Sequence, residues 1–255
     1  MIDSHCHLTD DRYDADAVIG AFDRDGLEAV VTVGYDTASS VAAVRLAEKH
    51  GRVFASVGVH PSELSHESDF DGITRLLSHP KVVAYGEIGL DYHWNEPDRE
   101  VQKKKFIEQL EIASASRLPV IIHSRECDGD MFPILKRYAP KLGGGVVMHC
   151  FSSSAEIAAE YVKLGFYISF AGTVTFRNAK KGDAVRAVPD ELLLAETDCP
   201  YLAPMPHRGE TNYPAYVRYT IEKLAEERGT TFDIVEKITE NNAKRLFFKM
   251  KGGEK

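Results

Sequence analysis

Eight short runs rich in Val, Ile and Leu alternate with longer segments of helical periodicity along the 255-residue chain. Such runs are apolar on both faces, which is typical of parallel strands covered by helices. The runs are MIDSHCHL, LEAVVTVGYD, VFASVGVHP, VVAYGEIGLDY, PVIIHSRE, GVVMHCFS, GFYISFAGTVT and ELLLAETDCPYL. Eight β-α units in a chain of this length predict an α/β fold of the (β/α)8 TIM-barrel type.

The helical segments include TASSVAAVRLAEKHG, REVQKKKFIEQLEIASASRL, SSAEIAAEYVKLG, TNYPAYVRYTIEKLAEERG and TFDIVEKITENNAKRLFF. The main alternative, a doubly wound open sheet, usually has a Gly-rich phosphate-binding turn after its first strand. Here the first strand is followed by HCHLTDD, which contains no glycine. Because no repeat, low-complexity run or Gly/Ser linker divides the chain, we predict one domain over residues 1–255, with 248–255 as a frayed tail.

The net charge of −8 argues against a protein that coats nucleic acid nonspecifically. It is compatible with an enzyme that acts on nucleic acid at one site charged by metal ions. No segment approaches the roughly 18 apolar residues of a membrane span. Asp3 and His5 interrupt the start of the chain, which predicts no export signal. We therefore expect a cytoplasmic protein whose four cysteines are reduced.

Polar residues follow the apolar runs at the predicted carboxyl ends of the strands, where barrel enzymes build their active sites. His5 and His7 share one face of the first strand because side chains alternate with a period of two. The other strand-end residues are His60, Glu87, His123, His149 and Asp198. Unpaired buried polar groups are unfavourable, so shared metal ions are the simplest explanation of this set. Histidines with carboxylates suit Zn, Mn, Fe or Ni, and a bridging carboxylate also tolerates Mg.

Three cysteines adjoin these candidate ligands in the sequence, namely Cys6, Cys150 and Cys199. Strand alternation predicts that their thiols point toward the helix layer. We therefore expect them to be buried as small apolar residues rather than to bind metal. Cys127 is assigned no role.

The segments DSHCHL, GVHP, GEIGLDY, IIHSRE, MHCFS and ETDCPYL together resemble the TatD family of metal-dependent deoxyribonucleases, within the amidohydrolase-like superfamily. The H-x-H pattern marks only the superfamily, whereas GEIGLDY and ETDCPYL are more specific. The resemblance covers nearly the whole chain and implies two divalent metal ions (Mg, Mn or Zn). It implies that His5, His7, Glu87 and Asp198 hold the first ion, and that Glu87, His123 and His149 hold the second.

Two positions depart from the family pattern. The family often has a histidine where Ser62 stands and a glycine where Ser153 stands. Because the implied metal ligands are all present, these departures bear on substrate preference rather than on the chemistry.

The resemblance implies hydrolysis of DNA. A closed barrel mouth suits a single strand or strand end better than an intact duplex, so we expect an exonucleolytic reaction, with endonucleolytic nicking as the alternative. Two cations about 3.5–4 Å apart can activate a water and hold both the attacking and the leaving oxygen of a phosphodiester. Asp198 is expected to bind the first ion and accept the proton of this water. Glu87, shared between the ions, has no free oxygen for that role.

Other residues are candidates for substrate contacts. His60, Arg125 and Arg208 could hold phosphate oxygens, although surface ion pairs are the alternative for the two arginines. Tyr92 and Tyr201 could stack on a base, with packing as the alternative.

Two other functions remain open at the level of sequence. The same scaffold could hydrolyse an amide, a lactone or a nucleobase, since fold alone does not decide between reactions. Many two-metal amidohydrolases bridge their ions with a carboxylated lysine, yet no lysine lies at a predicted strand end and Glu87 occupies strand four. A non-catalytic metal-binding protein is the third alternative, which the complete ligand set disfavours. We expect no membrane and no obligate protein partner.

Overall fold

In the computed structural model, residues 1–94 and 96–253 are described, and they form the (β/α)8 barrel that the sequence predicts. One parallel sheet contains eight strands in the order β1 to β8. The strands are β1 (Ile2–Cys6), β2 (Ala29–Val33), β3 (Val53–Val57), β4 (Val82–Asp91), β5 (Val120–Arg125), β6 (Val146–Met148), β7 (Tyr167–Phe170) and β8 (Leu193–Ala195). Because each strand pairs in parallel with the next, all carboxyl ends lie at one end of the barrel, here called the mouth.

Helices cover the outside of the sheet. They are α1 (Ala15–Gly20), α2 (Phe22–Asp25), α3 (Thr37–Lys49), α4 (Asp71–Leu76), α5 (Arg99–Ser116), α6 (Asp128–Tyr138), α7 (Ala155–Lys163), α8 (Gly182–Ala187), α9 (Val217–Arg228) and α10 (Phe232–Leu246). The caps of α7 agree with its sequence, because Ser154 Oγ accepts a hydrogen bond from the Ile157 amide and Gly165 follows the helix with φ of 77°. Among residues 1–94 and 96–253, no helix is long and apolar enough to cross a membrane.

The predicted frayed tail, 248–255, lies only partly within the described residues. Phe248–Gly253 form a short 3₁₀ helix, and residues 254–255 lie outside the described part of the chain. Lys249 Nζ donates a hydrogen bond of 2.9 Å to the Val82 carbonyl, which attaches the start of this segment to the barrel.

Apolar side chains alternate between the barrel interior and the helix layer. On β2, Val31 and Val33 belong to the interior cluster, whereas Val30 belongs to the larger cluster that packs against the helices. The end of α10 closes the barrel opposite the mouth, where Leu246 and Phe247 pack into the interior cluster. This apolar floor closes the barrel at the end opposite the mouth.

Some strands end earlier than their apolar runs predict. β6 ends at Met148 and β8 ends at Ala195, so the candidate ligands that follow them lie in the first loop residues. Cys150 and Asp198 have φ angles of 43° and 57°, a left-handed conformation that a strand cannot continue. The carboxyl ends of these strands therefore turn into the mouth instead of extending past it.

The barrel closes between β1 and the segment that follows β8. Asp198 N donates to the His5 carbonyl at 2.9 Å, and His7 N donates to the Cys199 carbonyl at 2.7 Å. We call this line of backbone hydrogen bonds the seam. Three candidate metal ligands, His5, His7 and Asp198, lie directly on it.

Candidate metal centre

The carboxylate of Glu87 lies buried at the centre of the mouth, with histidines beside both of its oxygens. Oε2 lies 3.4 Å from His5 Nε2 and 3.9 Å from His7 Nε2. Oε1 lies 2.7 Å from His149 Nε2 and 2.8 Å from His123 Nδ1. One carboxylate thus connects two separate groups of nitrogen atoms.

Asp198 completes the group on the Oε2 side. Its Oδ1 lies 3.4 Å from His7 Nε2 and 3.7 Å from His5 Nε2, while the two Nε2 atoms are 3.3 Å apart. We call His5, His7 and Asp198 the seam set. The structure therefore brings these three residues together with Glu87, as the resemblance implies.

The group on the Oε1 side is as compact, and His60 lies beside it. His123 Nδ1 and His149 Nε2 are 3.2 Å apart. His60 Nε2 lies 3.6 Å from Glu87 Oε1, while His60 Nδ1 accepts a hydrogen bond from the Ser62 amide at 3.1 Å. Burial and the charge of His123 lower the pKa of His60 to about 3. A neutral ring whose Nδ1 is an acceptor carries its proton on Nε2, so His60 presents a hydrogen-bond donor to the site.

These separations fit divalent metal ions. Two ligand atoms bound at about 2.0–2.2 Å to one tetrahedral ion lie about 3.3–3.6 Å apart. The donor separations in the seam set are 3.3, 3.4 and 3.7 Å. In the part of the chain that the structure describes, no lysine or arginine forms an ion pair with Glu87 or Asp198. Buried carboxylates without such partners, surrounded by imidazole nitrogens, are the donor set that Zn or Mn prefers and Mg tolerates.

Two glycines allow β4 to bring Glu87 into this position. The pairing of β4 with β5 shifts in register beside Glu87. Gly86 and Gly89 have φ angles of 145° and 154°, and a Cβ on Gly89 would lie 1.9 Å from the His123 carbonyl oxygen. A Cβ on Gly86 would lie 2.6 Å from the Ile121 carbonyl oxygen. The GEIGL segment therefore requires glycine at both positions so that β4 can approach β5.

Two buried carboxylates that the sequence analysis did not single out orient the histidines on the Oε1 side. Asp91 Oδ2 accepts a hydrogen bond from His123 Nε2 at 3.0 Å, and Glu196 Oε1 accepts one from His149 Nδ1 at 3.2 Å. Each bond turns the other ring nitrogen toward Glu87, as carboxylate–histidine pairs do at metal sites. We call His123 and His149 the acid-backed set. In the sequence, Asp91 and Glu196 are single acidic residues within GEIGLDY and AETDCP, and no pattern marks them as partners of the histidines.

Helix α5 supports the site from behind through two glutamines. Gln102 accepts a hydrogen bond from the Asp91 amide and donates one to the Asp91 carbonyl. Gln109 makes the same pair of bonds with Val59, the residue before His60. The glutamines are two helical turns apart and so lie on one face of α5. The two glutamines thus fix the backbone at Asp91 and at Val59, next to the Asp91 carboxylate and the His60 ring.

The ionisation of the carboxylates follows from this clustering. Burial raises the pKa of Glu87, but the charge of His149 and hydrogen bonds from His123 and His149 outweigh this effect and hold it well below the ordinary value. Burial likewise opposes ionisation of Asp198, whose pKa is nevertheless lowered, chiefly by a hydrogen bond from His7. Both groups are therefore anionic at neutral pH, which is the form that binds a cation.

The mouth opens into a cavity of about 1360 Å³. Of the residues predicted to contact substrate, His60, Arg125, Arg208 and Tyr201 line this cavity. Tyr92 is buried instead, and its hydroxyl donates to Asp130 Oδ2 at 2.7 Å. Packing, rather than stacking on a base, therefore accounts for Tyr92.

Among the cavity-lining residues that the sequence analysis did not identify are one aromatic residue near β4 and three residues after β7. Trp94 follows β4, whereas Phe176, Arg177 and Lys181 belong to the loop after β7. They occur in loops without a motif or periodic pattern. Only the course of these loops brings them to the mouth.

The cysteines agree with strand alternation at two positions of three. Cys6 and Cys199 are buried, and Cys6 Sγ donates to the Val31 carbonyl at 3.4 Å. The prediction is wrong for Cys150, which lines the cavity. Its left-handed φ of 43° ends the alternation directly after β6.

The two departures from the family pattern have different positions. Ser62 lines the cavity, and its Oγ lies 2.8 Å from His60 Nδ1. Ser153 Oγ instead donates to Asp128 Oδ1 at 2.8 Å, at the start of α6. Ser62 is therefore the departure that lies close to the site.

Comparison with known proteins identifies the family. Residues 2–248 match the sequence pattern of the family described as "TatD related DNase". The chain belongs to the TatD-related DNase family. Among its relatives, YabD of Bacillus subtilis strain 168, an uncharacterized metal-dependent hydrolase, is 43% identical over 252 residues and is matched over 97% of this chain and 98% of YabD. YcfH of Escherichia coli K12, also an uncharacterized metal-dependent hydrolase, is 38% identical over 253 residues, which cover 97% of this chain and 95% of YcfH.

A solved structure of the same family has the same architecture. The crystal structure of YJJV, a TatD homolog from Escherichia coli K12, matches with a TM-score of 0.91 and 31% identity over 97% of this chain and 98% of that chain. The fold and the family predicted from the sequence are thereby confirmed. This TatD-family protein is a metal-dependent hydrolase.

Proposed function

We propose that this TatD-family hydrolase cleaves phosphodiester bonds of DNA with two divalent ions, Mg, Mn or Zn. The observation that carries the proposal is Glu87, whose two oxygens face separate histidine pairs below a cavity lined by arginines. In this proposal the seam set and Glu87 Oε2 hold the first ion. The acid-backed set and Glu87 Oε1 hold the second.

The chemistry of the bound ions is general. Two divalent ions about 3.5–4 Å apart lower the pKa of a water and stabilise charge on phosphate oxygens. The side chains of this protein supply the remaining functions. Asp198 accepts the proton of the attacking water, since it is ionised and 14% exposed, whereas Glu87 is 5% exposed and has neighbours at both oxygens.

The substrate's phosphates meet donors on the wall of the cavity. His60 presents its Nε2–H toward Glu87 and is placed to donate to a phosphate oxygen. Arg125 and Arg208 line the same cavity with exposed guanidinium groups. Guanidinium groups bind phosphate through paired hydrogen bonds, which favours a phosphodiester over a neutral amide.

The depth of the centre favours action at the end of a strand. The side chains of His5 and Glu87 are 1% and 5% exposed, so a reacting phosphate must enter the barrel mouth. A duplex is too wide for such an approach, whereas a single-stranded end can enter. We therefore propose exonucleolytic cleavage of single strands or frayed ends.

The test is hydrolysis of 5′- and 3′-labelled single strands by the purified protein with added Mg, Mn or Zn. We expect single nucleotides to be released from one end, EDTA to abolish the reaction, and Mg or Mn to restore it. Asp198→Asn protein purified in parallel controls for contaminating nucleases. Hydrolysis of amides, lactones or nucleobases without any cleavage of DNA would replace this proposal by the amidohydrolase alternative.

A further inference from the structure

At the cavity mouth, an arginine guanidinium lies over each of two aromatic rings. The guanidinium of Arg125 lies 6.0 Å from the ring centroid of Trp94, and that of Arg208 lies 4.8 Å from the ring centroid of Phe176. All four residues line the cavity. Trp94 is 60% exposed, so much of its ring surface is open to solvent.

The two pairs lie on opposite sides of the metal centre. Trp94 follows β4 and Arg125 ends β5, whereas Phe176 follows β7 and Arg208 follows β8. In a barrel of eight strands in sequential order, β4 and β8 face each other across the axis. A chain that runs from one pair to the other therefore crosses the mouth, which Glu87 also lines.

The cavity contains four basic side chains besides the acidic residues Glu63, Glu87, Asp91 and Asp198. The chain has a net charge of −8, yet Arg125, Arg177, Lys181 and Arg208 all line the cavity. Within the described residues, none of these three arginines forms an ion pair with a carboxylate. Lys181 Nζ donates to the carbonyls of Ser152 and Ser153. The cavity thus offers three arginines and a lysine to the phosphates of a strand.

We infer that Trp94 and Phe176 each stack on a nucleobase of single-stranded DNA, one on either side of the scissile phosphate. This inference rests on the proposed function, because the metal centre defines which phosphate lies between the two bases. Aromatic rings beside phosphate-binding cations are the recurring means of binding single strands without reading their sequence. In a duplex the faces of the bases are already stacked on one another, so Trp94 and Phe176 select single strands.

Binding can be observed directly because Trp94 is the only tryptophan in the sequence. The probe is a phosphorothioate oligothymidylate, which resists hydrolysis, added to the metal-loaded protein. We expect saturable quenching of tryptophan fluorescence, as stacking on a base produces. An oligomer with the same backbone but no bases should bind about a hundredfold more weakly, because it loses both stacked bases and each is worth about tenfold. Equal affinity for the two oligomers would overturn the inference.

Variants separate stacking from general damage. Trp94→Ala and Phe176→Leu should each lower, by about tenfold, the ratio of kcat/KM for oligothymidylate to kcat/KM for the base-free strand. Phe248→Leu, at an exposed phenylalanine beyond α10, is the matched control and should not change this ratio. Metal content equal to wild type shows that each variant has folded. An equal loss on both strands would mean that the rings are structural.

The phosphate contacts have their own control. Arg208→Ala should lower the salt dependence of oligothymidylate binding by about one counterion, because one phosphate contact is lost. Arg137→Ala removes an exposed arginine on α6, outside the cavity, and should leave the salt dependence unchanged. If the phosphorothioate strand quenches Trp94 but unmodified oligothymidylate is never cleaved, the proposed function fails while the stacking site stands. If the strand is cleaved without base-dependent binding, the stacking site fails alone.

Discussion

The two halves of the metal centre are held in different ways. The seam set is positioned by backbone hydrogen bonds that close the barrel, at 2.7 and 2.9 Å. The acid-backed set is oriented by the side chains of Asp91 and Glu196. A geometry held by the main chain depends on the fold as a whole, whereas one held by side chains can be altered one residue at a time. Point substitutions should therefore separate the two halves, although Glu87 joins them.

The largest effect is expected where the halves share a ligand. Glu87→Gln keeps the shape of the side chain but removes the charge that faces both histidine pairs. We expect activity to fall by more than the ~10⁴-fold upper end for loss of one general base, because one site loses its Glu87 oxygen and the other keeps only a neutral amide oxygen. Metal analysis of the folded variant should show loss from both sites. Retention of full metal content would show that Glu87 is not the bridge.

The second-largest effect is expected at Asp198 and distinguishes a proton acceptor from a residue that only binds metal. Asp198→Asn keeps an oxygen donor in the seam set but cannot accept a proton, so its rate should fall about 10²–10⁴-fold. His123→Ala removes a ligand and leaves the acceptor in place. Excess metal should therefore partly restore His123→Ala by mass action and should not restore Asp198→Asn. Activity measured against metal concentration checks both, and the reverse pattern of rescue would show that the roles are wrongly assigned.

A smaller effect probes the acid-backed set alone. Asp91→Asn removes the negative charge next to His123 Nε2 and leaves every predicted metal ligand in the sequence. Loss of such a supporting carboxylate typically costs about 10–100-fold in metal affinity. The loss should fall on one of two metal-binding steps in a calorimetric titration, with the step of the seam set unchanged. Asp130→Asn, which alters an acid that binds the Tyr92 hydroxyl, is the matched control. Equal weakening of both steps would remove the distinction between the halves.

The smallest effect concerns the buried thiols. Cys6→Ala and Cys199→Ala should leave metal content at the wild-type value, because neither sulfur faces the mouth. Each substitution should lower the free energy of unfolding by about 1 kcal/mol through lost packing. Metal analysis and thermal unfolding measure the two results. A folded variant that lacks metal would contradict the placement of these thiols.

Much of this arrangement could be predicted from the sequence. The strands were predictable because each is an apolar run on both faces. The ligands were predictable because His123 and His149 follow such runs directly. The roles of Asp91 and Glu196 could not be predicted. An acidic residue in a sequence does not show whether its carboxylate binds a metal ion or accepts a hydrogen bond from a metal-binding histidine.

Loop geometry limits the prediction further. The position of Cys150 depends on a left-handed φ of 43°, which strand alternation does not anticipate. Trp94 and Phe176 come from loops that follow β4 and β7 and have no periodic pattern. Their approach to the metal centre depends on how these loops fold over the mouth, which no local feature of the sequence expresses.

The central claim, that Glu87 connects two metal sites, is tested most directly by anomalous diffraction from crystals grown with Mn²⁺. The account predicts two peaks about 3.5–4 Å apart, one between Glu87 Oε2 and the seam set and one between Glu87 Oε1 and the acid-backed set. A single peak would contradict the account. So would a peak at the other buried group of acidic and thiol side chains, formed by Asp3, Cys6 and Cys199.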